Sequence, residues 1–277
     1  MRVRSLDSPI PVEWSLPAEV DVPAGFRVAC GGHPVVADIA WRRGLRTEAE
    51  VRAFLDPSAY SPTPGEELPD LVAACEHIER AIRDRVSILV WGDFDVDGQS
   101  ATATLVAGLR ALGANVSYYI PDRATESHGL NLPGVQRANA AGVSLLLTCD
   151  CGITNADEIR WFRKHGGVVV VTDHHELPEN LPPADAVVDN KRLLADHPLR
   201  DLAGVGVAYK LMEALMERSG RHQEAEALLD LVALGIVADV VPQQKDNRYL
   251  LQLGLQRLVK SERPGVRALL NLSLIHI

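Results

Sequence analysis

From residue 68 onward the chain alternates short β-branched runs with longer stretches of helical period. Apolar runs bounded by glycine read as strands buried on both faces of a sheet. They fall at residues 88–92, 116–120, 143–148, 168–171 and 186–189. Helical stretches separate them at 100–112, 135–141 and 156–164, and another over 71–84 places Leu71, Cys75, Ile78 and Ile82 on one face. The alternation predicts an α/β fold, a doubly wound and mainly parallel sheet with right-handed crossovers. Beyond about residue 203 the pattern turns helical, over 207–218, 225–237 and 248–260.

Residues 1–66 lack this alternation and are expected to form a small N-terminal appendage or arm, with the catalytic domain over 67–277. The clearest signal in the appendage is a capping box, Thr47-Glu48-Ala49-Glu50, opening a short helix through Val51, Phe54 and Leu55. Pro57, Pro62, Pro64 and Gly65 then read as a linker.

The chemistry gathers where the strands stop. The valine run at 168–171 ends in Thr172-Asp173-His174-His175. A buried strand has no cheap place for a carboxylate and two imidazoles, so these residues are expected to face a crevice at the sheet edge. The run at 88–92 leads into Asp93-Phe94-Asp95-Val96-Asp97-Gly98, and the run at 143–148 into Cys149-Asp150-Cys151-Gly152. On an extended strand end Asp93, Asp95 and Asp97 would share a face and need cations to stay ionised together. Gly98 is expected to turn the backbone into a helix beginning at Ser100. Taken alone, the triplet equally suits a solvated acidic turn, and Asp150 a helix cap. Asp239, after a strongly apolar helical run, would sit at a buried helix end, where the dipole disfavours a carboxylate unless a cation lies nearby.

Mixed carboxylate and imidazole ligands suit Mn²⁺ or Mg²⁺, and a pair of such cations would make phosphoester or phosphoanhydride hydrolysis the reaction class. No phosphate-binding P-loop and no serine-nucleophile elbow is present. The formal net charge of −9 offers no global field for nucleic acid, so any such partner needs local cations. Apolar residues make up 47% and no run is long enough to span a bilayer, which predicts a soluble, cytoplasmic protein that does not touch membranes. Cys30, Cys75, Cys149 and Cys151 follow no disulfide framework and read as reduced core residues.

The motifs Gly92-Asp93-Phe94-Asp95-Val96-Asp97-Gly98, Thr148-Cys149-Asp150-Cys151-Gly152-Ile153 and Thr172-Asp173-His174-His175 resemble, in combination, those of the DHH phosphoesterase superfamily. Ile120-Pro121-Asp122-Arg123, His128-Gly129-Leu130, the segment Leu202 to Leu211 and the segment Asp230 to Pro242 resemble its RecJ-like branch, single-strand-specific 5′→3′ DNA exonucleases of repair and recombination. The resemblance implies that Asp95, Asp97, Asp150, His174 and Asp239 hold two divalent cations, Mn²⁺ or Mg²⁺, with Asp93 close by. His175 would bind the scissile phosphate or assist the attacking water, and Asp173 would orient a histidine. Arg123 and His128 would contact the nucleotide backbone, although this loop reads Glu126-Ser127-His128-Gly129 where the family usually has Glu-Gly-Tyr-Gly. The resemblance also implies single-stranded DNA as partner, with a repair helicase or single-strand-binding protein as further ones. Family members continue into DHH-associated and OB-fold domains absent here, and Ser273-Leu274-Ile275-His276-Ile277 depart from the family pattern. Rival readings are another DHH phosphoesterase (a nano-RNase, a cyclic-dinucleotide hydrolase or a pyrophosphatase) and a non-catalytic DHH scaffold.

Overall fold

The computed structural model describes residues 2–4, 13–15 and 17–275; His276 and Ile277 lie outside the described residues. The chain divides into two compact units, Met1–Tyr60 and Ser61–Ile277.

In the first unit, strands β1 (Arg2–Arg4) and β2 (Glu13–Ser15) pair antiparallel. Helices α1 (Ala24–Ala29), α2 (Pro34–Arg42) and α3 (Glu48–Leu55) share a small core of Val22, Phe26, Cys30, Ala37, Ala40 and Val51. The capping box at α3 forms as expected: Thr47 accepts from the Glu50 amide while the Glu50 carboxylate accepts from the Thr47 amide. Helices α1 and α2 are not among the elements expected from the sequence, and neither opens with a side-chain cap of the kind that marks α3.

In the second unit the sheet has five parallel strands, β3 (Ser87–Trp91), β4 (Val116–Tyr119), β5 (Val143–Cys149), β6 (Val168–Asp173) and β7 (Ala186–Asp189), in the order β4-β3-β5-β6-β7. Alternation sends successive residues to opposite faces. Ile88, Val90, Leu145, Leu147, Val170 and Val188 join one core; Leu89, Trp91, Leu146, Val169, Val171 and Val187 join the other. The first core is shared with α4 (Leu71–Arg83), α5 (Val96–Ala111), α8 (Gly204–Arg218) and α10 (Leu229–Ala238). The second is shared with α6 (Leu132–Ala140) and α7 (Ala156–Lys164). Helices on both faces make the sheet doubly wound. A short α9 (His222–Ala225) precedes α10, and α11 (Lys245–Leu258) and α12 (Pro264–Ile275) complete the helical part.

The chain steps from β3 outward to β4, then crosses back to place β5 on the other side of β3. The strand order therefore reverses between β3 and β5, and the crevice outside their carboxyl ends is where open α/β sheets receive ligands. Cys149 and Cys151 are fully buried, and all four cysteines are free. Among the described residues no helix is long and apolar enough to cross a membrane.

Candidate metal centre

The segment after β3 differs from the extended acidic strip expected from the sequence. The strand stops at Trp91 and α5 starts at Val96, not Ser100. Asp95 is the N-cap, its Oδ1 accepting from the Gly98 amide at 2.9 Å, and Asp97 lies in the first helical turn. Capping outweighs strand alternation here because the side chain satisfies an amide that the helix leaves open. Gly98 is needed for closeness rather than for a turn: a Cβ there would lie 2.6–2.8 Å from Asp93.

Asp97 is 2% exposed and its carboxylate spans to the start of α8. The Gly204 amide donates to its Oδ2 at 2.7 Å and the Val205 amide to its Oδ1 at 3.0 Å. The positive end of α8 thus holds a buried carboxylate at the mouth of the sheet. A Cβ on Gly204 would stand 2.5 Å from Asp150 Oδ1, and one on Gly235 would stand 2.5 Å from Asp97 Oδ1. Gly204→Ala is therefore expected to displace Asp150 or unseat the α8 amides from Asp97. Titration calorimetry with Mn²⁺ should show affinity reduced on the order of ten- to a hundredfold; an unchanged isotherm would remove Gly204 from the site's geometry.

Asp150 directly follows β5, in the left-handed region at φ 60°, and is 2% exposed. His174 Nε2 lies 3.0 Å from Asp150 Oδ1 and 3.8 Å from Asp97 Oδ2, and His174 Nδ1 lies 3.7 Å from Asp239 Oδ2. Asp239 caps the C-terminus of α10, but that end is not buried as the sequence suggested: Asp239 is partly exposed between exposed Val237 and Val240. Three overlapping groups emerge, each with donor atoms within 4.8 Å of one another: Asp150, His174 and His175; Asp97, His174 and Asp239; Asp93, Asp95 and Asp150. Asp93 Oδ1, Asp150 Oδ1 and Asp239 Oδ2 are buried with no hydrogen-bond partner. Buried carboxylate oxygens without donors are costly unless a cation meets them. The oxygen-rich donor set with imidazoles fits Mn²⁺ or Mg²⁺.

Protonation follows the same crowding. Burial, and then the Asp150 charge, pushes Asp97 up to about 7. Burial, and then the Asp95 charge, pushes Asp150 up to about 8. Asp239 is raised by burial. Asp173 goes the other way: burial alone would raise it, but the His175 hydrogen bond and charge and the Ile153 and His174 amides together hold it below the usual range. Its Oδ1 is 2.7 Å from His175 Nδ1, and that bond lifts His175 to about 9. The same bond leaves Nδ1 engaged, so Nε2 is the ring nitrogen left for another partner.

His128 Nδ1 lies 2.9 Å from Asp93 Oδ2, which raises its pKa, and its ring stands edge-on to His175 at 5.2 Å. Arg123 is exposed, with its guanidinium 5.3 Å from the centre of the Phe94 ring. Contacts and shared donor groups thus link nine of the ten sequence-singled residues, and Arg123 reaches them only through its neighbour Phe94. Sequence reasoning missed Asp189. It ends β7 in register with Asp173, is fully buried with Oδ2 unpartnered, and is raised to about 7 by burial. Its signal was the same strand-end carboxylate, masked by the ordinary turn residues after it.

The sequence pattern of the DHH family, N-terminal domain, matches residues 87–236, from β3 through most of α10. The chain belongs to the DHH family. The chain is 37% identical over 243 residues to the single-stranded-DNA-specific exonuclease RecJ of Bacillus subtilis (strain 168), covering 87% of this chain and 30% of that protein. It is 38% identical over 270 residues to the RecJ of Thermus thermophilus, covering 97% of this chain and 37% of that one. The chain therefore spans well under half the length of these relatives. Among solved structures, an exonuclease RecJ bound to manganese matches with TM-score 0.69 and 40% identity, over 75% of this chain and 53% of that one. RecJ of Thermus thermophilus in complex with Mn²⁺ matches with TM-score 0.74 and 35% identity, over 90% and 36%. The α/β architecture expected from the sequence is that of these DHH structures.

Proposed function

We propose that residues 61–277 catalyse metal-dependent 5′→3′ hydrolysis of single-stranded DNA, releasing 5′-nucleotides in repair and recombination. One observation carries the reading: buried carboxylate oxygens of Asp150 and Asp239, without a hydrogen-bond partner, lie beside His174, and Asp93 Oδ1, equally unpartnered, belongs to a group that shares Asp150. The similarity to single-stranded-DNA-specific exonucleases selects the substrate. Asp95, Asp97, Asp150, His174 and Asp239 would hold two divalent cations, Mn²⁺ or Mg²⁺ as in the RecJ structures, with Asp93 beside them. Bound there, the cations neutralise charge on the phosphate and make water a stronger nucleophile at neutral pH.

The chain's own residues supply the rest. Asp173 holds the His175 ring through Nδ1, and the Nε2–H of His175 would donate to a non-bridging oxygen of the scissile phosphate. The α8 amides keep Asp97 from rotating as substrate enters. Arg123 and His128 would hold the nucleotide backbone at the rim, the local cations that a chain of net charge −9 needs to grip an anionic strand. Four free buried cysteines accord with a reducing cytoplasm. A repair helicase or single-strand-binding protein would be a natural partner of such an activity.

The test is digestion of a 5′-labelled single strand. Release of labelled mononucleotide with Mn²⁺ or Mg²⁺, none with chelator and little from duplex is the expected result. Turnover confined to dinucleotides, cyclic dinucleotides or pyrophosphate would redirect the site to another phosphoester or phosphoanhydride.

A further inference from the structure

We propose that Glu126 is the positioning residue that sets Arg123 and His128 against the substrate strand, an inference that rests on the function proposed above. The segment between β4 and α6 carries both of those side chains and no regular structure. A loop of this kind is mobile unless its polar groups are tied down. Glu126 ties three parts of it. Its carboxylate accepts from the Tyr119 hydroxyl at the end of β4, 2.6 Å away, and its Oε2 accepts from the Asp122 amide at 2.9 Å. Its Oε1 accepts from Asn131 Nδ2 at 3.2 Å, and Asn131 is the N-cap of α6. The donors hold the Glu126 carboxyl below its usual range, the Tyr119 hydroxyl most of all, so all three bonds reach an ionised acceptor.

The turn they enclose is tight. The Glu126 amide donates to the Asp122 carbonyl at 2.7 Å, and the Ala124 amide to Asp122 Oδ1 at 2.8 Å. Arg123 projects from that turn, its guanidinium over Phe94, whose sequence neighbours are Asp93 and Asp95. Among the described residues no carboxylate ion-pairs with Arg123, so its donors are available to phosphate. The far end of the loop is fastened separately. Trp91 Nε1 donates to the Gly129 carbonyl, and the Asn155 side chain bonds both the amide and the carbonyl of Leu130. Losing Glu126 therefore frees the turn bearing Arg123, and slackens the lead to His128, without releasing the sheet, α6 or the acidic cluster.

A group that holds the strand equally in ground and transition state changes KM and leaves kcat. Glu126→Ala should raise KM for a single strand roughly tenfold, with kcat within about twofold of the parent and Mn²⁺ affinity unchanged. Glu126→Gln, which keeps one acceptor oxygen, should recover part of the loss. Tyr119→Phe keeps the ring packed 4.5 Å from Trp91 and removes only the hydroxyl, so it should shift KM in the same direction with little risk to folding. In the Arg123→Ala, His128→Ala background, Glu126→Ala should add nothing, because the side chains it positions are gone. An unmoved KM, a kcat loss at constant KM, a parallel fall in Mn²⁺ affinity, or the full effect persisting in that background would each overturn the proposal while leaving the nuclease reading intact. Failure of the unsubstituted chain to cleave single strands would overturn both.

Discussion

Asp150→Asn is expected to lower the rate of strand cleavage on the order of a thousandfold while raising the melting temperature in chelator. The two effects share one cause. Asp150 is buried, faces Asp97, His174 and the Asp93–Asp95 pair, and has an oxygen without a donor. Emptied of cations, the site must protonate this carboxyl or carry its repulsion, which is why it is pushed up to about 8. Asparagine removes the charge and keeps the shape, and it tolerates φ 60° better than most residues. Relief of a few kcal/mol corresponds to several degrees in a protein of this size. With the charge goes a cation ligand, and losing roughly 4 kcal/mol of phosphate charge stabilisation is about a thousandfold in rate. Asp150→Ala should lose the same activity but gain less stability, since alanine at positive φ is strained by about 1–2 kcal/mol. Single-turnover cleavage and calorimetric melts in chelator measure the two arms. Retention of parental activity by Asp150→Asn would end the assignment of Asp150 as a ligand.

The second large effect is the dependence of stability on pH with and without divalent cation. Burial lifts Asp97 to about 7, Asp150 to about 8 and Asp189 to about 7, from 3.8. Its bond to Asp173 lifts His175 from 6.5 to about 9. In every case the folded chain keeps a proton that the unfolded chain has released, so stability falls as pH rises. The carboxylates act between about pH 4 and 8, and His175 between 6.5 and about 9. Asp173, held below its usual range, has the opposite sign, but its contribution is lost only in acid, below this window. Melting temperature in chelator should therefore drop by roughly 5–10 °C from about pH 6 to about pH 9. Mn²⁺ takes the place of the Asp97 and Asp150 protons and binds better as they leave, so the gap between Mn²⁺ and chelator should widen over the same range. A chelator curve that is flat or climbs toward high pH would mean that the carboxylates are not crowded in the folded protein.

The sheet and the place of the chemistry are written in the chain's own pattern. The valine and isoleucine runs between helical stretches read as buried strands, and Asp173, His174 and His175 at the end of one read as facing a crevice, because a charged group inside the sheet has no cheap partner, whereas Asp150 alone suited a helix cap as well. The capping box at Thr47 was equally legible, since all its atoms lie within four residues. The remaining features exist only once the elements are docked. Nothing near Asp97 in sequence announces the amides of Gly204 and Val205, more than a hundred positions away, nor that Gly204 must lack a Cβ because Asp150 stands against it. The sequence places Asp189 at the end of a strand without singling it out; only the pairing of β7 with β6 sets it beside Asp173. The loop pattern marked Glu126 without giving it a role, which appears only where Tyr119, Asp122 and Asn131 converge on it. Periodicity reports which face a residue occupies within its own element, whereas these contacts depend on how separate elements come together.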